Sequence, residues 1–247
     1  VSTTHPYYAG VVAHEQYDEW WSSYSLRDKY DQVDIPSYFI TGWFDSLSNE
    51  NFKLFNGWSN NARSEDARKK TKLLVGPWSH QIAPWGRVPM GDNGEYADRT
   101  FGKQALSDVI EMHMHWYDQQ LKGIDTGIDD EAPIRLFVMG ANEWHDEYEW
   151  PLARTEWSKY YLHSSGNAES NGGSLSLDAP TEEEPTDKFT YDPENPVASL
   201  GSQYQTYDFC GPHDRSELQK RDDILTFTTT PLEEDTEVTG PIRATIW

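Results

Sequence analysis

Two segments of this sequence share one pattern, in which an apolar run is followed by a glycine, a tryptophan and a titratable residue. The first segment, IPSYFITGWFDSLS, starts at Ile35 and leads to Asp45, and the second, LLVGPWSHQ, starts at Leu73 and leads to His80. Each apolar run has the length and composition of a buried strand. In open α/β sheets, ligands bind outside the carboxyl ends of the strands. The sequence therefore predicts an α/β fold with Asp45 and His80 at a functional site.

The chain between these two strands predicts a helix and a crossover. A helix is expected over residues 47–58, because apolar side chains recur there on one face. Polar residues 60–70 are expected to form a return loop, and residues 72–75 the next strand. This connection is long enough to bring the second strand parallel to the first. Asp45 has an alternative role as the N-cap of the helix that follows it.

An aspartate beside a histidine is an arrangement used in acyl transfer. The carboxylate holds the imidazole in one tautomer and stabilises the imidazolium that forms during the reaction. In α/β-hydrolases the chain order is serine, acid, histidine, and the serine lies in a G-x-S-x-G elbow. Asp45 and His80 have this order, but residues 57–61 and 172–176 both lack the last glycine of the elbow. Ser79 adjoins His80 on a strand, where consecutive side chains point to opposite faces, so no serine of this sequence fits the nucleophile.

The regions that flank this unit predict further helices and a loop. Residues 1–34 look helical, and an aromatic face is expected there to pack in the core; it consists of Tyr17, Trp20, Trp21 and Tyr24. Residues 81–98 are rich in Gly, Pro and Asn and are expected to form a long loop over the site. A helix is expected over residues 103–121, with an apolar stripe that consists of Leu106, Ile110, His113, Tyr117 and Leu121.

After residue 130 the sequence changes to short β-type runs separated by Gly, Pro, Asp and Ser. They are expected at 134–139, 157–162, 225–230 and 242–247, which favours an all-β sandwich. We therefore expect three parts: 1–34, then an α/β part over 35–130, then a β-sandwich over 131–247. The chain begins without Met and ends on an apolar run, so both ends look cut.

The composition excludes several classes of partner. Forty-two acidic residues against 20 basic ones give a net charge of −22, which disfavours nucleic acid, because binding it requires a basic surface, and likewise an anionic membrane. No apolar run approaches the ~18 residues of a membrane span. We expect a soluble protein, with the cytoplasm as the preferred compartment. The acidity fits either an ordinary soluble enzyme or a salt-adapted one.

No cofactor or metal is expected. His113 and His115 are two residues apart, and such pairs do not face each other on a helix. The lone Cys210 is expected to be a small buried apolar residue rather than a nucleophile. Arg99 and Arg135 are expected to be partners in structural ion pairs.

Several motifs of the chain resemble one family. They are HEQYDEWW, IPSYFITGWFD, LLVGPWSH, RTFG, HWYDQQLKG, IRLFVMGANEW and EWPL, and they are similar to those of the CocE/NonD hydrolases, which include serine esterases, acylases and X-Pro dipeptidyl-peptidases. The resemblance implies an α/β-hydrolase domain with an inserted helical cap, followed by a C-terminal jelly roll. Residues 1–34 would then be the end of the cap, and residues 131–247 the first part of the jelly roll.

The resemblance also implies an activity, namely acyl transfer from an ester, amide or peptide substrate. Asp45 matches the acid of the family's triad and His80 its base, whereas the family's serine and an oxyanion-hole tyrosine lie upstream of this chain. Four flanking residues are expected by analogy to line an apolar acyl pocket, and core packing is the alternative for them; they are Trp43, Phe44, Leu47 and Trp78.

A second class of function stays open beside the hydrolase. A tryptophan-rich β-sandwich without catalysis would hold a glycan or a protein partner, and the residues that suggest it are Trp144, Trp150 and Trp157. The order of strand, aspartate, helix, strand and histidine favours the hydrolase, because a binding module has no use for it. The acyl substrate and the oligomeric state stay open.

Overall fold

The structure is a computed structural model that describes residues 7–80, 90–201, 203 and 210–246. The chain forms two compact units: one comprises residues 1–40 and 49–73, and the other comprises residues 41–48 and 74–247. The helices are α1 (Tyr8–Ala13), α2 (Glu19–Tyr24), α3 (Ser48–Asn61), α4 (Glu65–Lys69) and α5 (Val109–Lys122). The strands are β1 (Tyr38–Phe44), β2 (Lys72–Ser79), β3 (Glu95–Tyr96), β4 (Arg99–Thr100), β5 (Ile134–Val138), β6 (Glu143–Glu147), β7 (Tyr161–His163), β8 (Gly173–Ser176) and β9 (Phe227–Thr228).

A four-stranded sheet in the order β1-β2-β5-β6 carries the site. β2 is buried along its whole length and continues beyond the predicted strand 72–75 through Gly76 and Pro77 to Ser79. β5 and β6 pair antiparallel, with Ile134 opposite Glu147. They join the sheet of β1 and β2 although they follow residue 130 in the chain. The division of the chain at residues 34 and 130 stays a prediction.

The core of the first unit forms around helix α3. Phe52, Phe55 and Trp58 are buried on one face, and the Trp58 indole Nε1–H donates to the carbonyl oxygen of Ile35 at 2.8 Å. The predicted helix over 47–58 is therefore confirmed with shifted bounds. Leu47 precedes the helix and is 41% exposed, so it is not part of the buried face.

The predicted return loop over 60–70 contains a further helix. Ser64 caps α4, because its Oγ accepts a hydrogen bond from the backbone N–H of Ala67 at 3.1 Å. Acidic residues occupy the first turn and basic residues the last, which suits the helix dipole. The prediction of a loop is wrong here, since the polar residues form the solvent face of a short capped helix rather than irregular chain.

The N-terminal aromatic residues pack on each other outside the core. The rings of Trp20 and Trp21 meet edge to face at 4.7 Å, and those of Trp20 and Tyr24 at 5.0 Å. Tyr17 and Tyr24 are both mainly exposed, so the expected core position is wrong for them. The predicted helical segment is divided between α1 and α2, because Asp18 has an extended backbone and caps α2 through its carboxylate.

Helix α5 is present but buries a different face from the predicted one. Val109 and Trp116 are buried, and they share a face because they are seven residues apart. The predicted stripe is open: Leu106, Ile110, Tyr117 and Leu121 are all exposed. Gly123 ends the helix in the left-handed conformation. Within the described ranges, none of the helices is both long enough and apolar enough to cross a bilayer.

The C-terminal part contains a small sheet in the order β7-β8-β9. The predicted run at 157–162 overlaps the short strand β7, which extends one residue further, and the run at 225–230 contains the shorter strand β9. Residues 242–246 are described and form no strand. At the end of β7, the His163 Nδ1 lies 2.5 Å from a carboxylate oxygen of Glu184, and this hydrogen bond raises the pKa of His163 and lowers that of Glu184.

Two different close contacts explain the glycines of the two motifs: Gly42 of β1 meets the backbone of β2, and Gly76 meets the ring of Trp78 within β2. A Cβ on Gly42 would lie 2.0 Å from the carbonyl oxygen of Trp78, and a Cβ on Gly76 would lie 2.0 Å from the indole ring of Trp78. No real Cβ tolerates such a distance from backbone. Glycine at position 42 therefore lets the two strands approach as they do, and glycine at position 76 leaves room for the Trp78 ring.

Replacing Gly42 with alanine is expected to lower the free energy of unfolding by about 3 kcal/mol, because the backbone of β2 must move to admit the methyl group. Urea unfolding followed by circular dichroism measures this loss. Ser46→Ala is the control, since Ser46 is exposed in the neighbouring turn and its replacement is expected to change stability by less than about 0.5 kcal/mol. Equal stability of the two variants would contradict the close approach.

Candidate active site

Asp45 and His80 lie directly after β1 and β2 and contact each other. The His80 Nδ1 is 3.2 Å from Oδ1 and 3.3 Å from Oδ2 of Asp45. Because the residues that follow two neighbouring strands touch, β1 and β2 end at the same edge of the sheet. The two apolar runs of the sequence therefore bring their titratable residues, Asp45 and His80, together in one place.

The Asp45 carboxylate is buried and held by several donors. Its side chain is 5% exposed. The Thr41 hydroxyl donates to Oδ2 at 3.1 Å, and the backbone N–H of Leu47 donates to Oδ1 at 2.8 Å. A buried charge is costly unless it is hydrogen-bonded, and these donors compensate for the lost water. The Leu47 contact resembles helix capping. Asp45 therefore combines the N-cap role, which was the alternative for it, with its contact to His80.

His80 is oriented by Asp45 and remains open on its other side. Its side chain is 43% exposed. With Nδ1 directed at a carboxylate, the favoured tautomer carries its proton on Nδ1 and leaves Nε2 as the basic nitrogen. An imidazole held in this way can accept a proton at Nε2, and the carboxylate then stabilises the imidazolium. The pair can therefore act as a general base and acid.

The four residues expected to line a pocket differ in their surroundings. Trp43 is half-buried, and its indole N–H donates to the Phe137 carbonyl oxygen at 2.7 Å. Phe44 is half-buried and packs against Tyr96 with ring centroids 5.9 Å apart. Leu47 is exposed, as noted above. Trp78 is only 1% exposed, so its ring is a core contact here and not part of an open surface.

Thr41 and Ser79 are polar residues near the pair, and only Thr41 was not singled out in the sequence. Thr41 is a direct partner of Asp45, and its position four residues earlier, beside a buried strand end, is a signal that could have identified it. Ser79 is buried beside His80, and its Oγ has no hydrogen-bond partner among the described residues. Residues 81–89, where the loop over the site is expected to begin, lie outside the described residues.

The remaining candidate residues have structural partners. His113 Nδ1 lies 2.6 Å from the Val109 carbonyl oxygen, and His115 lies 4.0 Å from Glu111. Within the part of the chain that the structure describes, no three potential ligands among His, Cys, Asp and Glu cluster as a metal site would require. Cys210 is buried in the apolar cluster of Tyr96 and Phe101.

Of the tryptophans that suggested a binding module, only Trp157 is largely exposed, at 68%. Trp144 donates its indole N–H to the Gln104 carbonyl oxygen at 2.7 Å, and Trp150 packs at 6.5 Å from the Trp43 ring. Arg135 lies over the Trp144 ring and 3.8 Å from Asp146. The expected ion pair of Arg135 is confirmed, and the aromatic residues do not form a common exposed face.

Comparison with known proteins finds relatives along most of the chain. The family described as X-Pro dipeptidyl-peptidase (S15 family) matches residues 2–82. The family described as X-Pro dipeptidyl-peptidase C-terminal non-catalytic domain matches residues 126–247. Cocaine esterase of Rhodococcus sp. (strain MB1 Bresler) is 35% identical over 243 residues, which are 96% of this chain and 39% of that protein. The chain thus spans well under half the length of this relative.

A solved structure shares the fold. An aminopeptidase from a marine sediment archaeon, Thaumarchaeota archaeon, matches with a TM-score of 0.64 at 19% identity, over 94% of this chain and 37% of the other. The arrangement of mixed sheets and helices is compatible with an α/β-hydrolase-related fold. The two family matches and the esterase relative together show that this chain belongs to the CocE/NonD family of hydrolases.

Proposed function

We propose that this chain is part of a serine hydrolase that transfers acyl groups from ester or amide substrates to water. Asp45 and His80 are the acid and the base of its catalytic triad. The observation that carries the proposal is the contact of the buried Asp45 carboxylate with Nδ1 of the half-exposed His80. The serine and the oxyanion hole would come from the part of the hydrolase that this chain does not span.

The reaction proceeds in two steps. In the first, the His80 Nε2 removes the serine proton while the serine oxygen attacks the substrate carbonyl carbon, and the protonated His80 then gives this proton to the leaving alcohol or amine. In the second, a water molecule attacks the acyl-enzyme, His80 accepts its proton, and the proton returns to the serine oxygen as the acid leaves. Asp45 stays ionised throughout and stabilises the imidazolium.

Side chains beside the pair are proposed to receive the acyl group. Trp43, Phe44 and Leu47 lie within two residues of Asp45 in the chain, and each keeps part of its surface accessible. Apolar surface of this kind favours an apolar acyl chain, because burying it removes water from both partners. The ring of Trp78 is only 1% exposed and is not included in the pocket.

The domain arrangement of the whole protein is proposed from the same resemblance. Residues 1–34 would be the end of a helical cap, residues 35–130 the C-terminal part of the α/β-hydrolase domain, and residues 131–247 the first part of a jelly roll. The sheet of β7, β8 and β9 supports a β-rich C-terminal part. The match of residues 126–247 to a C-terminal non-catalytic domain also supports it.

The substrate class is tested with the full-length protein that contains this chain. One relative is named a cocaine esterase, and the family descriptions name X-Pro dipeptidyl-peptidases. We expect hydrolysis of p-nitrophenyl butyrate well above the uncatalysed rate, and the same assay with glycyl-prolyl-p-nitroanilide decides whether the protein also cleaves an X-Pro amide. If neither substrate is turned over, and a panel of acyl esters likewise fails, the proposed function is wrong.

A further inference from the structure

The turn that carries Asp45 is closed by a contact from a distant part of the chain. Within the turn, the backbone N–H of Asp45 donates to the Gly42 carbonyl oxygen at 3.0 Å, and the N–H of Ser48 donates to the Asp45 carbonyl oxygen at 3.1 Å. Two acceptors lie on either side of Asp45, namely the Trp43 carbonyl oxygen and the Ser48 hydroxyl. Both are used by one side chain.

That side chain is Gln203. Its Nε2 lies 3.0 Å from the Trp43 carbonyl oxygen and 3.2 Å from the Ser48 Oγ. A primary amide has two N–H donors, so both bonds can form at once. Gln203 thereby bridges the end of β1 to the start of α3 across the residue that holds His80.

We infer that Gln203 is a positioning residue for the Asp45–His80 pair. It lies within the region that matches a family described as a non-catalytic domain, and it acts on the pair by fixing the Asp45 turn. This inference rests on the proposed function of Asp45 and His80. It adds that the C-terminal region contributes directly to the geometry of the site.

The bridge acts together with a second contact from the same region. The Trp43 indole N–H donates to the Phe137 carbonyl oxygen of β5. This bond fixes the side chain of Trp43, whereas Gln203 contacts its backbone carbonyl oxygen. Backbone and side chain of Trp43 are thus fixed separately. Because the Phe137 contact remains when Gln203 is replaced, we expect the turn to loosen and not to unfold.

The test compares Gln203→Ala and Gln203→Glu in the full-length protein with p-nitrophenyl butyrate. We expect a roughly tenfold loss of kcat with KM nearly unchanged, because one neutral hydrogen bond is worth at most about that factor. Glutamate keeps the length of glutamine but cannot donate, so Gln203→Glu should lose at least as much activity. A Gln219→Ala variant, with its side chain at a separate open cavity beside Leu218 and Phe227, serves as the control.

A double-mutant cycle with Ser48→Ala tests the bridge itself. If Gln203 acts through the turn, the fold-loss of kcat in the double variant should be smaller than the product of the two single-variant losses. The reason is that Gln203→Ala and Ser48→Ala both remove the same hydrogen bond. Multiplicative losses, with unchanged kcat in Gln203→Glu, would overturn the inference.

A readout without turnover separates this inference from the proposed function. In proton NMR of the full-length protein, the Nδ1–H of His80 should give a downfield resonance, identified by its loss in His80→Ala. Gln203→Ala should shift this resonance upfield or broaden it, whereas Gln219→Ala should not. If the resonance shifts but no substrate is cleaved, the positioning role stands and the proposed function fails. If His80 is required for turnover and neither kcat nor the resonance responds to Gln203, the positioning role fails alone.

Discussion

Replacing His80 with alanine in the full-length protein is expected to lower kcat for ester hydrolysis by roughly 10⁴- to 10⁶-fold, as loss of the base does in other serine hydrolases. Without the imidazole, the other described partners of the Asp45 carboxylate, the Thr41 hydroxyl and the Leu47 N–H, cannot take the serine proton or deliver it to the leaving group. The half-exposed His80 side chain contributes little packing, so the thermal unfolding temperature should hardly change.

A matched control for this variant is His115→Ala. The His115 side chain is 59% exposed on α5 and has no part in the proposed reaction. Its replacement should leave kcat and KM unchanged. Near-normal turnover by His80→Ala, with His115→Ala equally active, would contradict the assignment of His80 as the base.

Replacing Asp45 with asparagine is expected to lower kcat by about 10⁴-fold at neutral pH, because an amide neither stabilises the imidazolium nor holds the productive tautomer. Asparagine has the shape of aspartate, and its carbonyl oxygen can still accept from Thr41 or Leu47. The fold should therefore survive this change. Alanine at the same position is less informative, because it would leave both buried donors without an acceptor.

The control for Asp45→Asn is Asp66→Asn, which removes a charge from an exposed side chain on α4. Steady-state kinetics and thermal unfolding of both variants separate the loss of chemistry from the loss of structure. An Asp45→Asn protein that keeps more than about a tenth of normal kcat would be incompatible with the triad role. A variant that unfolds at room temperature would instead indicate that Asp45 is chiefly structural.

The sequence predicts the part of the fold that depends on local pattern. β1, α3 and β2 follow from apolar runs, a helical period and glycine breaks within about 45 residues, and the Asp45–His80 contact follows from their order. The bounds move because caps and strand ends depend on tertiary contacts. β2, for example, extends to Ser79 because Gly76 gives room to the Trp78 ring.

Other features depend on contacts between residues far apart in the chain. The bonds of Gln203 join residues 160 and 155 positions apart, and no local pattern marks them. Helix α5 shows a related limit: its apolar residues cover more than one face, and the sequence alone does not determine that Val109 and Trp116 are the ones buried. The aromatic residues of α2 are a similar case. A short aromatic pattern is typical of core residues, but it does not show where in the fold the helix packs.

Trapping the acyl-enzyme shows whether Asp45 and His80 activate a serine from the remainder of the hydrolase. Full-length protein is mixed with p-nitrophenyl butyrate, quenched within milliseconds, and mapped by peptide mass spectrometry. We expect a butyryl group on a single serine outside residues 1–247, formed far more slowly in His80→Ala. A butyryl group on a residue within 1–247, or equal rates of acylation in the two proteins, would contradict this expectation.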